Sequence, residues 1–346
     1  MDKIVIASMR RSAGKTSIIA GIGTALKKRV AYMKPLGDRL LYRKKRLWDY
    51  DTALMTTLFG LGDNPEQMSI GFDHSKLRYM YDEKGIRAKV LEALEGIGKD
   101  KDAVFIETGG ELSYGSSVHL DAIGMAKHVG GKLVIVAGGE ENAVLDQVTF
   151  LKKHVDLSGV NFGGIIVNKV HNVDDFKATH APRIAEMGVD LIGVLPYQEA
   201  LTNFSVDYLA EQLFAKVITG EGGLKKIAKT MVIGAMSAND ALRSRVFKKE
   251  NKVVITGGDR SDMILAALES NSVCVVLTNN ILPPSNIISK ASELDVPLLL
   301  VPHDTYETAK KIESIEPLLT KEDNEKIELL GRLVKENLDL GKIYGP

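Results

Sequence analysis

Ser12-Ala13-Gly14-Lys15-Thr16-Ser17 follows the apolar run Lys3-Ile4-Val5-Ile6-Ala7 and opens a stretch of helical periodicity over residues 17–27. A strand, a loop of small residues, Gly-Lys-Thr and then a helix is the order that a phosphate-binding loop requires. Backbone N–H groups converge on the anion, and the helix N-terminus adds partial positive charge. In such a loop Lys15 reaches the terminal phosphates and the Thr16 hydroxyl binds Mg²⁺, with Ser12, Ala13, Gly14 and Ser17 completing the cradle. The strict pattern places glycine five residues before Gly14, where this chain has Met9. An ordinary strand-to-helix turn is the alternative reading.

Outward from the loop, apolar β-branched runs at 3–7, 30–33, 103–107, 132–137, 164–168 and 191–195 alternate with helical periodicity at 17–27, 53–59, 84–96, 118–129, 143–155 and 174–187. That rhythm predicts an α/β fold, a parallel sheet with helices on both faces. It ends near 209–223, and Gly220-Glu221-Gly222-Gly223 reads as a linker. A second, smaller α/β set follows, with strands expected at 230–234, 253–256, 273–277 and 297–301 and helices at 261–269 and 287–293. Residues 324–338 read as a charged amphipathic helix. The expected division is therefore 1–215, 216–320 and a C-terminal helical tail, 321–346.

Composition narrows the class. The chain has 346 residues, 45% hydrophobic and 26% charged, as a globular protein of two domains does. Its 45 basic residues balance 45 acidic ones, so no overall field favours nucleic acid or an anionic membrane. The single cysteine, Cys274, lies in an apolar run and reads as a buried strand residue, which excludes a disulfide framework. No signal peptide or membrane span is visible, and the cytoplasm is the expected compartment.

Further candidates stand where strands end. Glu107 closes its strand before Thr108-Gly109-Gly110, at the edge where open α/β sheets bind ligands, and reads as a metal ligand. Asp49 and Asp51 precede a helix. Each is either an N-cap or a carboxylate for metal or water, with Asp51 the stronger metal candidate. Lys34, before Pro35, serves either an anionic ligand or a solvated loop. Asn168 could meet a purine edge. The position two after Lys169 is His171 rather than the aspartate that reads guanine, so adenine is expected, and the cofactors are ATP and Mg²⁺. Arg10 and Arg11 could stabilise phosphoryl charge, including across a dimer, or merely neutralise neighbouring acids.

Together, Gly14-Lys15-Thr16, Lys34-Pro35, Asp49/Asp51, Glu107-Thr108-Gly109-Gly110, Gly164 to Asn168 and the strand end Gly193-Val194-Leu195-Pro196 resemble the dethiobiotin synthetase-like family of P-loop proteins over residues 1–215. Ser8, Arg10-Arg11 and Asp38-Arg39 depart from a true dethiobiotin synthetase, and a basic segment, Arg43-Lys44-Lys45-Arg46, follows. The family's diamine-binding residues therefore do not carry over. Thr256-Gly257-Gly258-Asp259-Arg260-Ser261-Asp262, Leu277-Thr278-Asn279-Asn280 and Pro302-His303-Asp304-Thr305-Tyr306 resemble a DRTGG domain. That pair of domains is similar to the N-terminal regulatory region of long phosphate acetyltransferases. The resemblance implies a free-standing regulatory half without the acetyltransferase domain, and a homodimer paired at the nucleotide face. Gly257, Gly258, Asp259 and Arg260 form a second strand-to-helix turn. It suits an anionic metabolite or nucleotide effector, or else is a capped turn in which Arg260 pairs with Asp262 or Asp304.

The reading expected from these residues is an ATP- and Mg²⁺-binding regulatory protein with slow ATPase turnover that uses Lys15, Lys34 and Asp51. The alternatives are an ATP-dependent synthetase activating a small carboxylate and a scaffold with a relic loop.

Overall fold

The computed structural model describes residues 1–26, 28–43, 46–62 and 64–344. Lys27, expected to end the first helix, Lys44 and Lys45 of the basic segment, and Pro346 lie outside the described residues. The chain forms two compact units, one of Met1–Gln198 with Leu319–Pro346 and one of Glu199–Leu318.

In the first unit the strands are β1 (Asp2–Ser8), β2 (Val30–Met33), β3 (Leu40–Arg43), β4 (Arg46–Asp49), β5 (Ala103–Glu107), β6 (Lys132–Gly138), β7 (Asn161–Val170) and β8 (Leu191–Pro196). Six of them make one sheet in the order β2-β5-β1-β6-β7-β8, parallel throughout. Its central strands are buried along nearly their whole length, which is why they read as continuous apolar runs. On one face Val5, Ala7, Val104, Ile106, Leu133 and Ile135 pack against the helices Glu83–Ile97 and Ala122–Val129. Because β1 lies between β5 and β6, the loop after β1 opens beside the end of β5, and Ser8 and Glu107 become neighbours at one edge.

Three differences from expectation have clear causes. The helix expected at 174–187 is two, Val173–Thr179 and Ala181–Glu186, because Pro182 has no N–H and sits in the first turn of the second. Leu40–Arg43 and Arg46–Asp49, with no assigned element in the sequence reading, pair as the antiparallel strands β3 and β4. The tail, set apart as 321–346, is part of the first unit. Its helix Asn324–Asn337 packs on the helix Lys15–Ala25, where a Cβ on Gly21 would lie 2.7 Å from Val334 and 2.8 Å from the Leu330 carbonyl. Beyond it, Asp339 N–H donates to the Ile192 carbonyl at 2.9 Å, and a Cβ on Gly193 would lie 2.1 Å from the Asn337 carbonyl.

The second unit holds β9 (Phe204–Ser205), β10 (Lys216–Thr219), β11 (Ile227–Ala228), β12 (Thr230–Ile233), β13 (Lys252–Gly257), β14 (Ser272–Thr278) and β15 (Leu298–Leu300). Its sheet runs β10-β15-β14-β13-β12, with β10 antiparallel at one edge and the rest parallel. Cys274 is fully buried in β14, and burial pushes its thiol pKa up, so it is no nucleophile. The glycine-rich stretch 220–223 is not a linker. It is part of a 3₁₀ turn inside this unit, where Cβ atoms on Gly220 and Gly223 would come within 2.5 and 2.4 Å of the 295–297 backbone. Among the described residues, no helix is long and apolar enough to cross a membrane.

Leu330, 5% exposed, belongs to the C-terminal helix that covers Lys15–Ala25. Leu330→Ala should lower unfolding free energy by about 2–5 kcal/mol, read as a lower urea midpoint.

Candidate functional site

The loop between β1 and the helix Lys15–Ala25 turns on two left-handed residues, Ser12 (φ 57°) and Gly14 (φ 97°). A side chain at Gly14 would be strained by that φ, and its Cβ would also lie 2.4 Å from the Asn168 amide nitrogen. The helix begins with no side-chain cap and no acidic residue in its first turn. Its leading N–H groups and dipole are thus left for an anion.

Lys15 is 8% exposed, and its ammonium donates to Ser8 Oγ at 3.0 Å. Ser8 in turn donates to the Gly110 carbonyl at 3.0 Å. Burial lowers the Lys15 pKa, against the opposing pull of Glu107. Thr16 donates to Glu107 Oε1 at 2.9 Å, and the Tyr32 hydroxyl donates to Oε2 of the same carboxylate at 2.9 Å. Burial, reinforced by the charge of Asp51, pushes the Glu107 carboxyl up to about 7, while Lys34 and Lys15 pull it down. Burial likewise raises the Tyr32 phenol.

A second cluster surrounds Lys34, whose side chain is 3% exposed. Its ammonium bonds to Asp38, reaches Asp51 Oδ2 at 2.5 Å and stands 3.5 Å from Asp49 Oδ2. Arg39 adds a longer contact, 3.6 Å, to Asp51 Oδ1. The surrounding carboxylates, led by Asp51, overcome desolvation and raise the Lys34 pKa, so it stays protonated. Asp49 is the N-cap of the helix Tyr50–Leu58. Its Oδ1 accepts from Asp51 N at 2.9 Å and Thr52 N at 3.2 Å, and its Oδ2 accepts from the N–H groups of Asp38 and Arg39 at 3.1 and 3.2 Å. The hairpin β3–β4 closes this arrangement by pairing Leu40 with Asp49.

Asn168 and Lys169 brace the loop from β7. The Asn168 amide donates to the Ala13 carbonyl at 2.9 Å and accepts from Lys169 N at 2.9 Å, and Lys169 Nζ donates to the Ser12 carbonyl at 2.8 Å. His171 stacks on Tyr197 with ring centroids 4.5 Å apart. Arg10 and Arg11 are exposed. Arg10 lies beside Gly139 and Arg11 beside Gly110.

Lys15, Thr16, Lys34, Asp51 and Glu107 therefore meet at one sheet edge, with Ser12, Ala13, Gly14 and Ser17 in or next to the loop. Asp38, read in the sequence only as a departure from the dethiobiotin synthetase pattern, and Tyr32, not singled out there, join this cluster. The spacing Lys34-x-x-x-Asp38 was a usable signal for the first. Tyr32 lies inside an apolar strand, and nothing there marks its hydroxyl.

In the second unit, Gly257-Gly258-Asp259-Arg260 leads into the helix Ser261–Leu268. A Cβ on Gly258 would lie 1.7 Å from the Ile281 carbonyl, so close packing of the neighbouring loop demands glycine there. The Arg260 guanidinium donates to Asp262 at 3.1 and 3.3 Å, to the Met236 carbonyl at 2.9 Å and to the Gly234 carbonyl at 3.4 Å.

The sheet order and the Gly-Lys-Thr loop at the end of β1, with its threonine on an acidic strand end, define a P-loop NTPase-like domain. The family described as AAA domain matches residues 2–205, and the chain belongs to it. It is the dethiobiotin synthetase-like kind, and a DRTGG domain follows at 208–315. The whole chain is homologous to the N-terminal region of phosphate acetyltransferases. It is 22% identical to the phosphate acetyltransferase of Nitratidesulfovibrio vulgaris over 371 residues, 99% of this chain and 51% of that one. With the Pseudomonas aeruginosa enzyme it shares 24% over 374 residues, 98% and 51% of the two chains. With the Pseudomonas putida enzyme it shares 28% over 255 residues, 67% and 35%. The chain thus spans about a third to a half of the length of these relatives.

Among solved structures, the CBS and DRTGG domains of the regulatory region of Clostridium perfringens pyrophosphatase, complexed with diadenosine tetraphosphate, share 19% identity at a TM-score of 0.29. That match covers 40% of this chain and 62% of the other. FlhF complexed with GMPPNP and Mg²⁺ shares 15% at a TM-score of 0.34, covering 56% and 66%. Both are too distant to bear on this chain's ligands.

The Glu107 carboxyl, raised from 4.5 to about 7, binds a proton more tightly folded than unfolded. Its share of stability is full below pH 4.5 and is lost as pH rises through about 7. Glu107→Gln should remove that loss, so urea midpoints of variant and parent should diverge in the variant's favour between pH 5.5 and 8.

Proposed function

We propose that the first unit binds Mg-ATP on the loop 8–17, turns it over slowly, and passes its nucleotide state to the DRTGG domain or to a partner. The observation that carries this reading is the uncapped, acid-free helix N-terminus that begins at a buried Lys15, with Thr16 hydrogen-bonded to Glu107. Lys15 would neutralise β/γ-phosphate charge. Thr16, Glu107 and Asp51 are oxygen donors of the kind Mg²⁺ takes, and they would hold the ion, whose chemistry here is to neutralise phosphate charge. Lys34 would lend a second cation to the phosphate edge. Adenine is favoured over guanine because His171, not an acid, stands two residues after Lys169. Asn168, engaged at both ends of its amide, would act on the nucleotide mainly by holding the loop.

The same reading makes the protein cytoplasmic and homodimeric, with no nucleic-acid or membrane partner. In the second unit it places an anionic effector at Gly257, Gly258, Asp259 and Arg260, which would have to compete with Asp262 for the guanidinium. The synthetase reading gains less support. A groove of about 690 Å³ adjoins the loop at Met9, but Glu111, Asp121, Asp146 and Asp156 line it. His154 lines it too, and Lys34, on which the carboxylate reading rests, does not.

Calorimetry decides. The protein should bind Mg-ATP in preference to Mg-GTP, and Lys15→Ala should weaken binding by about 10- to 150-fold, the worth of a hydrogen bond to a charged group. Unchanged affinity in a folded Lys15→Ala protein would remove the loop from the site.

A further inference from the structure

We infer that the strand pair β3–β4 of one copy docks in the groove beside Met9 of a second copy, so that two copies exchange these strands. This gives the homodimer proposed above its contact. It rests on that reading for the pairing of two chains and not for the nucleotide.

The groove has an apolar side and an acidic one. Met9, Leu112, Ile123 and Val155 line it and pack against the core of the first sheet. Along the helix Glu141–His154, Asp146, Phe150 and His154 recur every four residues and line it from one stripe. Phe150 is 54% exposed even with His154 tilted against its ring at 5.3 Å. Glu111, Asp121 and Asp156 add carboxylates, and no lysine or arginine is among the described lining residues. Asp121 caps a helix and Asp156 accepts from Ser158 N–H at 2.9 Å, whereas Glu111 and Asp146 form no ion pair among the described residues. A half-open apolar surface edged by acids fits an apolar segment that carries positive charge.

The same chain presents such a segment. β3 and β4 pair with each other and with no other described strand. A two-stranded ribbon is marginally stable by itself, and it gains from covering one face. Tyr42 stands opposite Leu47, with Leu40 two residues before it on the same face, and these are 74%, 37% and 53% exposed. The sequence there is Arg43-Lys44-Lys45-Arg46, four consecutive positive charges. Arg46 meets Glu66 at 3.0 Å, but that pair is exposed and weak.

The strand pair is held away from the groove helix of its own chain. β3–β4 follows β2, the edge strand, and β4 packs against the helix Tyr50–Leu58 and the turn Pro65–Met68. The helix Glu141–His154 follows β6, three strands away, about 14 Å at the usual strand spacing. In a two-fold pair each copy gives one strand pair and receives one, which closes the assembly at two chains. The contact lies beside the nucleotide loop, since Met9 and Glu111 follow Ser8 and Gly110, which bond to each other at 3.0 Å.

Sedimentation equilibrium of the full chain tests this. The parent should be a dimer that weakens as salt rises. Arg43→Glu with Lys45→Glu should raise the dimer dissociation constant by about 100-fold or more, since like charges then face each other. Glu111→Lys with Asp146→Lys should do the same. Mixing the two charge-reversed chains should restore a dimer, because the reversed strands meet the reversed groove and the native strands the native one. Tyr42→Ser and Phe150→Ser, both at exposed positions, should each weaken the dimer by about 10-fold or more without any change of charge. A parent that is monomeric throughout overturns this contact together with the homodimer reading. A parent dimer that neither charge reversal weakens, or a mixture that stays monomeric, overturns the contact alone, and so does growth beyond two chains. Should a charge-reversed chain not fold, the serine variants decide: dimers as tight as the parent's in both overturn the contact.

Discussion

Charge buried at one edge of the first sheet is the constraint on which the site depends. Glu107, Asp49 and Asp51 are almost wholly withdrawn from water, and so are Lys15 and Lys34. Carboxylates this deep are tolerated only where cations and N–H groups meet them. Every neighbouring element contributes to that compensation. β2 supplies Tyr32 and β5 supplies Glu107. The hairpin β3–β4 folds the N–H groups of Asp38 and Arg39 onto Asp49. Removing one partner of a buried pair typically costs about 3–5 kcal/mol, because the other charge is stranded.

The loop itself is held from outside. Gly14 and Ser12 adopt left-handed backbone, and the carbonyls beside them are tied by Asn168 and Lys169 from a strand two places away in the sheet. This holds a small-residue segment in one conformation, which lowers the ordering that any ligand of the loop would require. Arg260 in the second unit does comparable work at a smaller scale. Its guanidinium joins Asp262 to the 234–236 backbone and fixes one strand-to-helix turn against a neighbouring loop.

Much of the fold was legible because buried parallel strands write themselves as apolar runs. The six strands expected in the first unit all exist, and the second unit's parallel strands lie within a few residues of expectation. Short elements with mixed composition escaped. The strands β3, β4 and β10 are four residues each, and Leu40, Tyr42 and Leu47 lie exposed, so none carries a period long enough to read. The glycines at 220–223 misled for a physical reason: glycine serves close packing as readily as it serves flexibility, and here it lets the chain approach residues 295–297.

The sequence by itself determined the loop, its lysine and threonine, the acidic strand end and the alternation that makes a parallel sheet, because these depend on local spacing and on periods of two and 3.6 residues. Only the tertiary structure decided which charges meet. That β1 lies between β5 and β6 brings Thr16 to Glu107 across 91 positions, and the hairpin brings Asp49 back to Asp38. It also decided that Asp49 caps a helix while Asp51 faces a lysine, and that the C-terminal helix belongs to the first unit. These are matters of distance between remote parts of one chain, and no local pattern encodes them.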